Sequence, residues 1–429
     1  MTPRRSTCSP TRSWPTCSRR RPLNGHWAAQ RLAPTHDPGR STMQLVLHNV
    51  GEVLTGVLEE PTLEADTIVV DDGRIVAFDS GAASTADTVI DCKGMTVAPG
   101  LVDTHMHPTL GDYAPKQQSV GYLERMMHGA VTRAISAGEV HAPGRSGAES
   151  ALGIALGAFH SFERPRPAGI KVHGGAMLLE KDTDFSHIDR AYEAGMRIIG
   201  EIGVGSLKDP VRAGELSTHA RQLGMTVHMH CGCTSDRGPG GDEHPYFSAE
   251  DVLTAVPSIA SHANTFASLS DDDIDMLCSD DGPPFVEVVQ AGGTKPMLRV
   301  VEGLAARGEL DRLLIGTDTP TGYGVTSLGI LKTIGDVCSL AGVAPATAWA
   351  VASGQGAKAF GSDGNVIAPG AVADIVVMDT SLGSVCDTAV EAIGAGEFPG
   401  VAVVITDGVV RVRGSLCTLR SRRVADIEN

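Results

Sequence analysis

Eight apolar runs of strand length recur between about Gly100 and Gly361, separated by segments of helix length and mixed polarity. They are 101–107 (LVDTHMH), 131–138 (VTRAISAG), 169–175 (GIKVHGG), 197–205 (RIIGEIGVG), 225–232 (MTVHMHCG), 258–264 (SIASHAN), 284–292 (PFVEVVQAG) and 312–320 (RLLIGTDTP). Strands alternating with amphipathic helices predict a parallel sheet with crossover connections, and eight of them predict an α/β fold closed into a (β/α)8 TIM-like barrel over 99–361. The 429 residues leave room beyond the ~250 that such a barrel needs.

A smaller companion is legible on both sides of the barrel. From Met43 to Ala98 short strand-like runs alternate with turns, with Asp72-Gly73 as a hairpin signal. The same texture returns in 373–379 (ADIVVMD) and 401–414, where Asp407-Gly408 is a second such turn. We therefore expect one β-sandwich domain assembled from 43–98 and 362–414, with 415–429 as a C-terminal tail. Residues 1–42 carry eight Arg and one acidic residue, Asp37, among many Ser, Thr and Pro, and cannot build a core. They read as a disordered leader or as an upstream translation artefact, because Met43 is followed at once by the strand-like QLVLHN.

Composition excludes several functions. A formal net charge of −16 argues against a nucleic-acid surface. Charged, Gly or Pro residues interrupt every apolar run before the roughly 18 residues that a membrane span needs, so no membrane partner is expected. Nine cysteines are an odd number scattered through a large chain, which fits a reducing, cytoplasmic setting better than a disulfide framework.

The 15 histidines are unevenly placed. His105 and His107, two apart on a strand, point to the same side, and two imidazoles so placed can share a metal ion. Alone, such a pair is more simply two polar residues facing the same solvent. Glu201, His228, His230, His262 and Asp318 also fall near the C-terminal ends of later runs, which is where such barrels carry their active sites. Imidazole and carboxylate together suit zinc or iron with open positions for water.

Other candidates have competing explanations. Cys231 and Cys233 form a CxC pair but lack a second pair of soft ligands, which favours packing. Asp103 either hydrogen-bonds a histidine or ends its strand. Consecutive residues cannot converge on one ion, so Asp271-Asp272-Asp273 reads as a helix N-terminus. His173 precedes Gly174-Gly175, which allow close backbone approach, and is a candidate substrate contact. Arg145 and Lys116 lie in loops where either could hold a substrate carboxylate or remain a solvated surface cation.

From about Met43 to Gly414 the chain resembles the amidohydrolase superfamily. The resemblance rests on APGLVDTHMH at 98–107, His262, Asp318 and VIAPGAVADIVVMD at 366–379. The strings HAPGR (141–145), RPAGIKVHGGA (166–176), GEIGVGS (200–206) and DTSLGSV (379–385) are similar to the enamidases of nicotinate fermentation. The resemblance implies two divalent metal ions, zinc and/or iron: His105, His107 and Asp318 on the first, His230 and His262 on the second, Glu201 bridging. Lys171, as a carboxylated lysine, is the rival bridge, but it sits on the third run where the fourth is expected. His228 would lie behind His230.

The implied activity is hydrolysis of a cyclic amide, 6-oxo-1,4,5,6-tetrahydronicotinate to 2-formylglutarate and ammonia, by metal-held hydroxide with Asp318 shuttling the proton. Arg145, Lys171 and His173 would be the substrate-binding residues, and relatives of this kind imply a homo-oligomer, a tetramer. The alternatives are another cyclic amidohydrolase of the hydantoinase, dihydroorotase or imidazolone hydrolase type, a one-metal deaminase, and a non-catalytic scaffold.

Overall fold

All eight expected runs are strands in the computed structural model, which describes residues 43–79, 86–108, 121–138, 146–162, 167–232, 246–265 and 269–428. They are β1 Leu101–Met106, β2 Val131–Ser136, β3 Lys171–His173, β4 Ile198–Ile202, β5 Thr226–His230, β6 Ile259–Ser261, β7 Phe285–Val289 and β8 Leu313–Gly316. A helix separates each consecutive pair, from Tyr122–His128 after β1 to Thr294–Ala306 before β8. The fold is mixed α/β.

Every pairing among these strands is parallel, in one sheet ordered β3-β2-β1 and another ordered β4-β5-β6-β7-β8. The two sheets meet at both edges. Met106 bridges Thr319 and Met177 bridges Ile199, both in parallel sense, and the backbone of Asp318 donates to the His105 carbonyl at 2.8 Å. Adjacent residues of one strand serve two different cores: Val102, Ile135, Ile198, Ile259 and Leu314 pack together, whereas Leu101, Ala134, Ile199, Ala260 and Leu313 join the larger helix-covered core. That two-residue period explains why the runs are apolar throughout rather than alternating.

The helices begin where the sequence caps them. Ser248 and Ser270 each form a capping box, with Asp251 and Asp273 respectively, and Asp209 precedes a helix with Pro210 in its first turn. The acidic run Asp271-Asp272-Asp273 is the first turn of Asp271–Cys278, where carboxylates meet the positive end of the helix dipole.

Two further sheets draw strands from both chain ends. A five-stranded sheet runs Asp426–Glu428, Thr88–Asp91, Gln44–His48, Ile68–Asp71, Arg74–Phe78, and a six-stranded one runs Val409–Arg413, Gly400–Thr406, Ile375–Asp379, Thr96–Pro99, Glu52–Leu54, Thr62–Leu63. They share a core that includes Leu47, Ile68, Ile90, Val97, Ile375 and Val403. Both Asp-Gly pairs turn as hairpins with positive φ, 47° and 74° at Asp72-Gly73 and 50° and 74° at Asp407-Gly408. The tips touch: a Cβ on Gly408 would stand 2.8 Å from the Gly73 Cα.

One boundary needs correction. The stretch 415–429, expected as a tail, supplies the strand Asp426–Glu428, antiparallel to Thr88–Asp91. The reason is a clamp that spacing does not reveal. Arg423 donates to the buried Asp379 carboxylate from Nε at 2.9 Å and from Nη2 at 2.6 Å, and Ile427 turns onto the core between two outward acids. Residues 1–42 lie outside the described residues.

Candidate metal centre

The six residues singled out at strand ends come together. β1 carries His105 and is followed by His107, and their rings lie 5.1 Å apart, centroid to centroid. Glu201 projects from β4, His230 ends β5, His262 follows β6 and Asp318 follows β8. Two of these positions are strained, with left-handed φ of 38° at His262 and 61° at Asp318. Such conformations cost of order 1–3 kcal/mol for non-glycine residues and persist only where surrounding contacts fix them.

The polar atoms form two groups that share Glu201. In the first, Glu201 Oε2 lies 3.5 Å from His105 Nε2 and 3.7 Å from His107 Nε2, while Asp318 Oδ1 lies 3.8 and 3.1 Å from the same two nitrogens. In the second, Glu201 Oε1 lies 2.7 Å from His262 Nε2 and 3.7 Å from His230 Nδ1, with the two ring nitrogens 2.9 Å apart. Ligands held about 2.0–2.1 Å from a tetrahedral ion stand about 3.3 Å from one another, so both groups have the spacing of a metal shell.

Hydrogen bonding supports that fit. His105 Nε2 and Glu201 Oε1 are buried and make no hydrogen bond, although charged partners are close. The opposite ring nitrogens are engaged: His107 Nδ1 faces the Gly138 carbonyl at 2.9 Å and His105 Nδ1 faces Glu287 Oε2 at 2.7 Å. Donation from Nδ1 to those oxygens leaves each Nε2 lone pair directed at the group, the usual arrangement of metal-binding histidines. Burial opposes charge on Glu201, yet His105 and His262 hold its carboxyl well below the ordinary value. Burial likewise opposes charge on His105, but Glu201 and Glu287 hold it well above. A buried set with this mutual demand for opposite charge fits divalent cations.

His228 is fully buried behind His230, with Nδ1 3.1 Å from Ser261 Oγ and its ring stacked on Phe360, and burial pushes its pKa down to about 4. Asp103 bonds the backbone of His105. It accepts from the backbone nitrogens of His105 and Thr317 and from Thr317 Oγ1 at 2.6 Å, so it ties β1 to β8, and burial pushes it up to about 7. Cys231 is a buried thiol donating to the Met229 carbonyl. Arg145, Lys116 and Cys233 lie outside the described residues.

Lys171 and His173 do not join the cluster. Because β3 is only three residues long, Lys171 begins it rather than ending it, and its ammonium is paired with Asp374 and, at 3.0 Å, with Asp407 of the flanking sheets. His173 Nε2 lies 2.7 Å from Arg133 Nη1. Both line a separate cavity of about 370 Å³, and none of the six clustered residues lines it. Glu201, on β4, is the carboxylate shared by the two groups.

Glu287 went unread in the sequence. It is a fully buried acid in the VEV of β7, and the signal available was a lone carboxylate within an otherwise apolar strand. Gly316 was equally silent: a Cβ there would lie 2.4 Å from the His105 Cβ, so only glycine lets that histidine cross β8.

The chain is 38% identical over 391 residues to an enamidase of Eubacterium barkeri, a match covering 89% of this chain and 99% of the relative. It is 33% identical over 106 residues to an imidazolonepropionase of Bacillus cytotoxicus, covering 20% of this chain and 25% of that protein. A crystal structure of enamidase, described as a member of the amidohydrolase superfamily, superposes with a TM-score of 0.85 at 38% identity, covering 90% of this chain and 100% of that one. A putative prolidase from Bifidobacterium longum, at 18% identity and a TM-score of 0.60 over 86% of this chain and 95% of its own, shares the fold alone. No family model matches the chain.

Proposed function

The chain belongs to the enamidase family of the amidohydrolase superfamily, and from that membership we propose a metal-dependent hydrolase that opens the ring C–N bond of a small cyclic amide. One observation carries the reading: four imidazoles and two carboxylates converge at strand ends with His105 Nε2 and Glu201 Oε1 buried and unsatisfied. In this reading the eight parallel strands form a closed (β/α)8 barrel, and the two flanking sheets form a β-sandwich. His105, His107 and Asp318 would hold one divalent ion and His230 and His262 a second, with Glu201 shared between the two. The ions are zinc and/or iron.

When bound, such ions lower the pKa of water from 15.7 towards ~7 and so supply a nucleophile near neutral pH. The rest falls to the protein. Asp318 is a partly exposed carboxylate whose backbone is fixed by the bond from its nitrogen to the His105 carbonyl. It accepts the proton of the attacking water and returns it to the departing ring nitrogen, as general base and then general acid. Burial of Glu201 and His105 keeps bulk solvent from screening this charge set.

The substrate in this reading is 6-oxo-1,4,5,6-tetrahydronicotinate. Water opens the lactam, and a second water hydrolyses the resulting enamine to 2-formylglutarate and ammonia. Arg145 is the residue proposed to meet the ring carboxylate. A cytoplasmic homo-oligomer, a tetramer, completes the reading; the six free thiols among the described residues bear only on a reducing compartment. A turnover screen of purified protein against this lactam, hydantoin, dihydroorotate and dihydrouracil tests it. Turnover of the lactam above the others is expected, and brisk hydrolysis of hydantoin or dihydrouracil without the lactam would overturn the substrate.

A further inference from the structure

His105 and His107 are two residues apart, yet they are backed differently. His107 Nδ1 faces a neutral backbone carbonyl, that of Gly138, whereas His105 Nδ1 faces a full negative charge, the carboxylate of Glu287. Glu287 is completely buried, and no lysine or arginine among the described residues lies within ion-pair distance of it. A buried carboxylate without such a partner is expensive unless something nearby compensates it. Its other oxygen accepts from Thr104 Oγ1 at 2.5 Å, so the carboxylate cannot swing away from the imidazole. Its backbone is held on both sides, by pairing with Leu314 of β8 and by the bond from the Ala263 nitrogen to its carbonyl at 2.8 Å.

We propose that Glu287 is a positioning residue for the metal centre, acting through His105. Holding the proton on Nδ1 leaves the lone pair on Nε2 and aims it at the ion, and the adjacent negative charge strengthens that nitrogen as a donor. The two histidines of the HxH pair are therefore unequal. Thr104 is the brace that keeps Glu287 in register. The inference rests on the metal reading above, and the experiment separates the two.

The test measures metal retained by purified holoprotein under competition with a chelator, titrated with zinc, for wild type, Glu287→Gln, His105→Ala and the double variant. Glu287→Gln keeps the shape and an acceptor oxygen but removes the charge. It should weaken retention of one of the two ions by about 10–100-fold and leave the other unchanged. Adding Glu287→Gln to His105→Ala should cost nothing further, because the route through His105 is already gone. Wild-type retention of both ions in Glu287→Gln, or a double variant weaker than His105→Ala, would overturn the inference while leaving the metal reading intact. A wild type that holds less than one equivalent sinks the metal reading itself. Should Glu287→Gln fail to fold, Thr104→Val carries the test: selective weakening of the same ion supports the proposal, and undiminished retention of both ions overturns it.

Discussion

Glu201 Oε1 and His262 Nε2 stand 2.7 Å apart, yet that buried carboxylate oxygen makes no hydrogen bond. Two ligands of one positive centre would show this close approach without a hydrogen bond between them. Elemental analysis should therefore find two divalent metal equivalents per chain. Glu201→Ala should lose metal, because one side chain serves both groups, whereas Lys171→Ala should keep it, because its ammonium is spent on Asp374 and Asp407. Metal loss in the lysine variant alone would move the bridge.

Asp318 is the second point of test. Its carboxyl is opposed by burial but held below its ordinary value by His107 and the neighbouring imidazoles, so it is ionised at neutral pH. Asp318→Asn should preserve the fold and much of the metal while turnover falls by roughly 10²-fold or more. Near-normal turnover in a metal-replete variant would end its assignment as proton shuttle.

Gly316 should tolerate no side chain. An added Cβ at 2.4 Å from His105 Cβ must displace the histidine or β8. Overpacking of this kind costs about 1–3 kcal/mol, and Gly316→Ala is expected to lose both melting temperature and metal. A variant that melts and loads like wild type would show that β1 can shift without consequence for the centre.

The C-terminal clamp should be acid-sensitive. Burial works against charge on Asp379, but hydrogen bonds from Arg423 and from the backbone hold its carboxyl below the usual 3.8. A lowered carboxyl contributes stability that is present above the unfolded value and lost as pH falls through the folded one. Arg423→Ala should cost about 1–3 kcal/mol at neutral pH by removing the charge-assisted bonds to a buried carboxylate that keeps only its backbone donors, and should hasten amide exchange in Asp426–Glu428. Equal exchange in variant and wild type across pH 3 to 7 would remove the clamp.

Much of this protein is local and was therefore readable in one dimension. The eight strands follow from runs whose adjacent residues both find apolar partners, the Asp-Gly hairpins from the positive φ that Gly supplies and Asp tolerates, and the acidic helix start from dipole and cap. The meeting of His105, His107, Glu201, His230, His262 and Asp318 was also foreseeable, because the C-terminal ends of parallel strands share one side of the sheet. What spacing could not decide is which charge meets which across long separations. Glu287 lies 182 positions from His105, and Asp374 lies 203 from Lys171. An ammonium or carboxylate reads the same in sequence whether it faces a substrate or a structural counter-charge. Only strand register and sheet contact, which depend on the whole chain packing at once, chose the structural partner for Lys171, the imidazole for Glu287 and the edge of a sheet for the last residues.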